Sequence, residues 1–341
     1  MMDKNYGVVL IGCGHIGEEH IQDIYFREGI TIAGVVDMNI ENAKFFAKRF
    51  GAESYSVSYQ QYLSDPAVDI VIIATYTNTH LPIFKDCIAA GKHVLCEKPM
   101  TLDIEELEEF RAIAENARTK VHVGHILRYN QTYKKVKEMI QNDVIGRPLV
   151  MRMVQNHHTM NWERYKRLLK DCSPVLDCGV HYFDVMQWFT DAKIQKVFGL
   201  QQKIDADLED CHFNYGLVNV MLSDGSVGYY EVGWSNSMAA DNLKEFIGPK
   251  GRIRIEYQSN RFRNKEEGDL IEYYDSVNKV YHSINLPTQY KPMWEQLKSL
   301  IYDIENNRSN IPHIETAYSA TKAAMAADLA LQTGTMVEIK Q

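Results

Sequence analysis

The sequence predicts an α/β protein in two parts, a doubly wound parallel sheet followed by an α/β region with a mostly antiparallel open sheet. Three observations carry this. Short apolar strands alternate with helical patterns from residue 6 to about residue 124, which is how βαβ units with helices on both sheet faces read. The first strand runs directly into Gly12-x-Gly14-x-x-Gly17. Beyond about residue 147 the chain favours long strands joined by tight turns, as antiparallel sheets do. At 341 residues the chain has room for two domains, because one core rarely grows past about 250–300 residues. The expected domains are 1–125 and 126–341.

Val8-Val9-Leu10-Ile11 is a buried strand, and the helix after it runs from His15 to Arg27. Gly12 permits the tight turn, Gly14 lets the backbone approach a pyrophosphate, and Gly17 lets the helix pack on the strand. The helix start, with His15 and Ile16 in its first turn, offers unpaired N–H groups and a positive dipole end to phosphates. A second apolar run, Thr31 to Val36, ends at Asp37. A carboxylate there accepts both ribose hydroxyls and repels a 2′-phosphate. Met38-Asn39 follow, with no Arg or Lys, so the expected cofactor is NAD rather than NADP.

Glu41 to Phe50 is a second helix stopped by Gly51, and Ser58 to Leu63 is a short helical turn. Asp69 to Ile73 is a strongly β-branched strand ending in Ala74-Thr75-Tyr76-Thr77-Asn78-Thr79-His80. Ligands of doubly wound sheets sit at the carboxyl ends of strands, so Thr75, Asn78 and His80 are candidates for the nicotinamide half of the cofactor. His80 reads equally well as a hydrogen-bonded helix-start residue. Pro82 to Ala90 is helical, and Lys92 to Cys96 is a strand that ends in Glu97-Lys98-Pro99-Met100. Asp103 caps a helix reaching Asn116, and Val121 to Gly124 is the next strand.

Gln131 to Gln141 is helical. Phe213 to Leu222 and Val227 to Trp234 form a hairpin about Asp224-Gly225, and Glu245 to Ile255 repeats strand-turn-strand. Helices at Met293 to Glu305 and Thr316 to Thr333 close the chain, the second ending at Gly334. A sheet with one helix-covered face leaves its other face for a partner subunit. Within this region Asp177 and His181 are four apart; on one helix they share a face about 6 Å apart. A carboxylate beside an imidazole raises its basicity and fixes its orientation. Asp184 suits either a helix face or a substrate contact. The segment Asn156 to Arg167 is expected as a substrate loop. There Trp162 and Tyr165 suit stacking on a sugar ring, with simple packing as the rival, and Arg164 or Lys166 suits an anion. His157 and His158 are adjacent, so on a strand they point to opposite faces and at most one enters a site. A metal needs three or four converging ligands, so no metal is expected.

The net charge of -8 argues against nucleic acid as a main partner. No segment approaches the roughly 20 apolar residues of a membrane span, and the first apolar run is too short for a signal peptide. The six cysteines (Cys13, Cys87, Cys96, Cys172, Cys178, Cys211) show no paired spacing and read as reduced thiols, Cys96 and Cys178 as small buried hydrophobes. A cytoplasmic location is expected.

With Gly12-x-Gly14-x-x-Gly17, Glu97-Lys98-Pro99 and Asp177-x-Gly179-x-His181 in this order, the chain resembles the glucose–fructose oxidoreductase/inositol dehydrogenase (Gfo/Idh/MocA) family over nearly its whole length. Arg128-Tyr129 and the closing Leu329 to Gly334 helix end also resemble it. The resemblance implies an N-terminal Rossmann domain and a C-terminal open-sheet domain in a homodimer or homotetramer. It implies NAD-dependent hydride transfer on a secondary alcohol or ketone of a sugar, polyol or sugar derivative. Lys98 would bond the reacting oxygen, His181 would be the acid/base, and Asp177 would position substrate or His181. Glu97, Lys98 and Arg128 would lie by the cofactor. The chain departs from the family at Cys172-Ser173-Pro174, where many members have glycines. Pro174 stiffens that entry and puts the pocket wall in doubt. Two alternatives stay open: a non-catalytic NAD-binding sensor, and an NAD-dependent glycosidase or epimerase with transient oxidation.

Overall fold

A computed structural model describes residues 4–208, 213–258 and 268–340; Cys211 lies outside them. The chain divides into two compact units, Met1–Ile126 with Lys291–Tyr318, and Leu127–Tyr290 with Ser319–Gln341.

The first unit holds β1 (Tyr6–Ile11), β2 (Ile30–Val36), β3 (Tyr55–Ser56), β4 (Ile70–Ile73), β5 (His93–Cys96) and β6 (Val121–Val123). All pair in parallel, in the order β3-β2-β1-β4-β5-β6. Between them run α1 (His15–Ile24), α2 (Ile40–Phe50), α3 (Gln60–Leu63), α4 (His80–Ala89) and α5 (Ile104–Asn116). The predicted strands are nearly wholly buried because helices cover both faces, which is why they read as unbroken apolar runs. Helix ends follow local chemistry. Asn39 accepts from the Glu41 N–H, Asp103 accepts from Glu105 and Glu106, and Gly51 closes α2 in the left-handed region at φ 68°.

A single cut at residue 125 does not describe this unit. Leu297, Leu300 and Ile301 belong to one apolar cluster with Ile21, Ile24, Phe46 and Phe50. They lie on α10 (Met293–Glu305), so the chain returns late to finish a core begun by its first residues.

The second unit holds α6 (Gln131–Gln141), β7 (Val150–His158), α7 (Trp162–Asp171), α8 (Pro174–Asp177), α9 (Gly179–Thr190), β8 (Ile194–Gln202), β9 (Tyr215–Leu222) and β10 (Val227–Ser235). It continues with β11 (Lys244–Gly248), β12 (Gly251–Glu256), β13 (Asp269–Asp275) and β14 (Val280–Leu286). The long α11 (Ile311–Thr333) runs on into this unit, and β15 (Val337–Glu338) ends it. The nine strands lie in the order β14-β13-β12-β11-β7-β10-β9-β8-β15. Every pairing is antiparallel except β7 with β10. Tyr230 of β10 packs on Tyr182 and Phe183 of α9, so helices cover that face. The other face shows Phe198, Leu200 and Met221 to solvent.

The expected substrate loop is largely helix α7. It was hidden because Leu169 is its only buried residue, leaving no apolar stripe to read. Its capping signals were present: Asn161 accepts from the Arg164 N–H, with Glu163 early and Lys170 late.

Candidate active site

In the first unit the glycine turn is built by exclusion. At Gly12, φ is 101° and a Cβ would lie 2.4 Å from the Ala74 carbonyl oxygen. At Gly17 a Cβ would lie 1.9 Å from the Gly12 carbonyl oxygen. At Gly14 a Cβ would meet nothing within 4 Å, so there the backbone faces open space. His15 and Ile16 begin α1 beside it, His15 exposed with Nε2 3.7 Å from Glu19. Asp37 is pinned at the end of β2: its Oδ2 accepts from Cys13 N–H at 2.9 Å and its Oδ1 from Asn39 N–H at 2.8 Å. An open glycine cradle at a helix start with a fixed carboxylate on the next strand fits a dinucleotide.

At the end of β4, Asn78 is exposed, and the Thr79 hydroxyl donates to that of Thr75 at 2.7 Å. His80 turns inward. Its Nδ1 lies 3.0 Å from the Pro99 carbonyl oxygen and its Nε2 3.3 Å from that of Thr75. Burial pushes this imidazole below the usual histidine range, so it is neutral and donates along the shorter contact. His80 thus ties the ends of β4 and β5 together.

Glu97, Lys98 and Pro99 leave the end of β5. Glu97 is buried, accepting from His20 Nε2 at 2.7 Å and from the Lys98 N–H at 3.2 Å. Burial raises the Glu97 pKa, but the His20 bond and charge, aided by Lys98, outweigh it and hold the carboxyl below its usual range. Gly124 makes room, since a Cβ there would lie 2.8 Å from Glu97. Lys98 is half-buried, beside a wholly fixed neighbour. His20 went unread in the sequence. The signal was a polar residue four positions from both Ile16 and Ile24, on the buried stripe of α1.

In the second unit, Asp177 and His181 sit on two successive helices rather than one. Asp177 ends α8 and His181 lies in the first turn of α9. Cys178 between them keeps helical dihedrals, φ −88° and ψ −38°, so the two side chains stay about a turn apart. Ser173 caps α8 by accepting from Leu176 N–H at 3.1 Å, and Pro174 occupies the first turn, where its missing N–H costs nothing. Gly179 is needed for packing: a Cβ there would press on Phe183 and Tyr230 at 3.1 Å.

Tyr165 stands with its hydroxyl 3.4 Å from His157 Nδ1 and its ring edge-on to Trp234, centroids 5.3 Å apart. Burial pushes His157 below the usual range, with Asp177 opposing and Lys244 reinforcing the shift. His158 is exposed, its Nδ1 3.2 Å from the Met238 carbonyl oxygen. Trp162 is not brought to this group; its indole N–H points to Asp207, as does Lys166. Arg164 is exposed at the start of α7. Arg128 and Asp184 form a bidentate pair at 2.8 Å for each bond, over the Trp188 ring. Arg128 is thus held by Asp184 as a bidentate ion pair.

His122, Asp303 and His313 of the first unit also converge, with both Nε2 atoms near one Asp303 oxygen at 2.8 and 3.1 Å. The rings are stacked, centroids 3.8 Å apart and planes 26° from parallel. No point close to both nitrogens lies in both ring planes, as an imidazole lone pair requires of its metal. The geometry is that of a shared hydrogen-bond acceptor.

Two family profiles match the chain: the NAD-binding Rossmann fold of the GFO/IDH/MocA oxidoreductases over residues 6–125, and a GFO/IDH/MocA C-terminal domain over residues 133–254. The chain belongs to the GFO/IDH/MocA family. It is an oxidoreductase, and its cofactor is NAD. It is 23% identical to a myo-inositol 2-dehydrogenase of Thermotoga maritima, across 97% of this chain and 98% of that one. An inositol 2-dehydrogenase of Acidothermus cellulolyticus is 24% identical, across 98% and 95%. A scyllo-inositol dehydrogenase from Lactobacillus casei, solved with NAD(H) and scyllo-inositol, shares the fold with a TM-score of 0.79 at 21% identity, covering 98% of this chain and 99% of that one.

Proposed function

We propose that this family member oxidises a secondary alcohol of a cyclic polyol, with inositols as the first candidates, and that Lys98, Asp177 and His181 act on one carbinol. The observation that carries the reading is the anchoring of Lys98. It leaves the carboxyl end of β5, two strands from the glycine turn on β1, beside a Glu97 fixed by His20. Bound NAD supplies the hydride acceptor. Lys98 donates to the substrate oxygen and stabilises it as negative charge develops. His181 takes the hydroxyl proton, and Asp177 holds His181 or a neighbouring hydroxyl in place. His80 and Glu97 keep the Lys98 segment rigid. The likeness to inositol dehydrogenases across nearly the whole chain supports the substrate class.

We further infer a homo-oligomer assembled through the open sheet face, supported by the exposed Phe198, Leu200 and Met221 there. No helix among the described residues is long and apolar enough to cross a membrane. With the acidic balance, this supports a cytoplasmic enzyme without nucleic-acid partners.

The test is NADH formation on a panel of myo-inositol, scyllo-inositol and aldoses. Lys98→Ala and His181→Ala should each lower kcat/KM by about 10²–10⁴-fold. Binding of NAD by calorimetry should persist in His181→Ala. The double variant should lose far less than the product of the single losses if both groups serve one transition state. NAD binding with no turnover on any member, and no isomerised product by NMR, would sink the reading in favour of a sensor.

A further inference from the structure

The residues on either side of Lys98 are each held by a buried histidine from a different helix. Pro99 is held through its carbonyl oxygen, 3.0 Å from His80 Nδ1 on α4. Glu97 is held through its side chain, with Oε1 2.7 Å from His20 Nε2 on α1 and Oε2 accepting from the Lys98 N–H at 3.2 Å. His20 is fully buried and Glu97 nearly so. The helix α1 also starts at the glycine turn, and His20 lies six residues past Gly14, about 9 Å along the axis. One bond therefore spans from that helix to the end of β5, two strands from β1 in the sheet.

The donors and acceptors fix where the hydrogens lie. His20 Nδ1 is buried and meets no hydrogen-bonding partner among the described residues. A ring with its only hydrogen on Nδ1 would leave that donor unpaired in the interior and withdraw the donor from Glu97. Nε2 therefore carries hydrogen and donates to Oε1. Glu97 then has an N–H at each oxygen, and neither of these groups can accept from a carboxylic acid, so Glu97 is the carboxylate. The charged and titratable groups around it are His20 on α1, His80 on α4, and Cys96 and Lys98 beside it on the strand end.

We propose that His20 is a positioning residue for Lys98: its Nε2–H keeps Glu97 a buried carboxylate, and that carboxylate holds the Lys98 backbone against the helix of the glycine turn. Without the His20 donor, Glu97 stays buried with one hydrogen bond fewer and takes up a proton more readily. A neutral acid is a weaker acceptor for the Lys98 N–H than a carboxylate is. Lys98 then keeps its hold on the Pro99 side and loses it on the other. The value to catalysis rests on the reading of Lys98 given above; the ionisation of Glu97 does not.

The test follows the side-chain carboxyl resonances of full-length protein labelled with carbon-13 glutamate, by NMR across pH. The Glu97 signal is identified by its loss in Glu97→Gln. His20→Leu removes the donor, and His20→Met is a second such variant should the first fail to fold. In either, Glu97 should protonate about one pH unit higher or more. His20→Gln, whose amide N–H can take the place of Nε2–H, should leave Glu97 near its wild-type titration. Turnover of the polyol should fall about 10- to 100-fold in kcat in His20→Leu, with KM little changed. It should recover as pH rises through the new Glu97 titration, which a merely loosened fold would not do, and His20→Gln should restore most of it. The proposal is overturned if His20→Leu titrates Glu97 as the wild type does, or if His20→Gln moves it as far. Unchanged kcat with a displaced Glu97 titration would reject the positioning of Lys98 and leave the dehydrogenase reading intact. A wild type that turns over no polyol would fail that reading instead, and the carboxyl titration would still decide the link from His20 to Glu97.

Discussion

Single residues in this protein gain their meaning from what fixes them. Asp37 is held by two backbone N–H groups, so its carboxylate is aimed before any ligand arrives. Asp37→Ala should weaken NAD binding, and should narrow the gap between NAD and NADP because the repulsion of a 2′-phosphate is gone; calorimetry with both dinucleotides checks it. His93 offers a pH prediction. Burial pushes it down to about 4, with Asp69 opposing, and its Nδ1 accepts from the Lys120 N–H at 2.8 Å. A folded pKa below the unfolded value means the unfolded chain binds the proton first. The contribution is therefore complete above about pH 6.5 and is lost as pH falls toward about 4. Urea unfolding should show this decline, and His93→Gln should flatten that stretch of the curve. Lys98, Asp177 and His181 are proposed from short motifs that name them. His20 and Lys244 are named by no motif, because His20 meets Glu97 and Lys244 meets the Val154 carbonyl oxygen, both far away in sequence, and spacing rules see only near neighbours.

Elements were legible where local chemistry decided them. The helix ending at Asn116 begins at Asp103 as its cap predicted, and Asp103→Ala should cost about 1 kcal/mol, read as a lowered Tm. Gly12→Ala should be far worse, since it meets both a left-handed backbone and a carbonyl oxygen at 2.4 Å; loss of NAD binding or of folding is expected, seen by calorimetry and circular dichroism. The division of one expected helix into α8 and α9 was not legible. Pro174 starts a helix and Gly179 admits two aromatic rings, and the second fact depends on Tyr230, about fifty residues on. The strands β13 and β14 escaped for a related reason. Their outward residues Glu272, Tyr274 and Tyr281 mix charge with aromatics, which blurs the alternation of a half-buried strand.

At the scale of the molecule, the βαβ alternation predicted the six-stranded sheet, and the long strands predicted the mostly antiparallel one. The sequence could not show that α10 belongs with the first of them, because an amphipathic helix does not name the surface it covers. This has a direct test. Residues 1–126 expressed alone should aggregate or remain partly unfolded, exposing the surface that Leu297, Leu300 and Ile301 cover, while the same segment joined to residues 291–318 should fold cooperatively. There is also a consequence in time. A ribosome adding about 5–20 residues per second finishes the nucleotide-binding sheet early, then makes more than a hundred and sixty residues of other structure before the missing helix emerges. For that interval the nascent chain carries an uncovered apolar surface. Its yield in a cell is therefore set as much by what shields that surface during synthesis as by the stability of the finished fold.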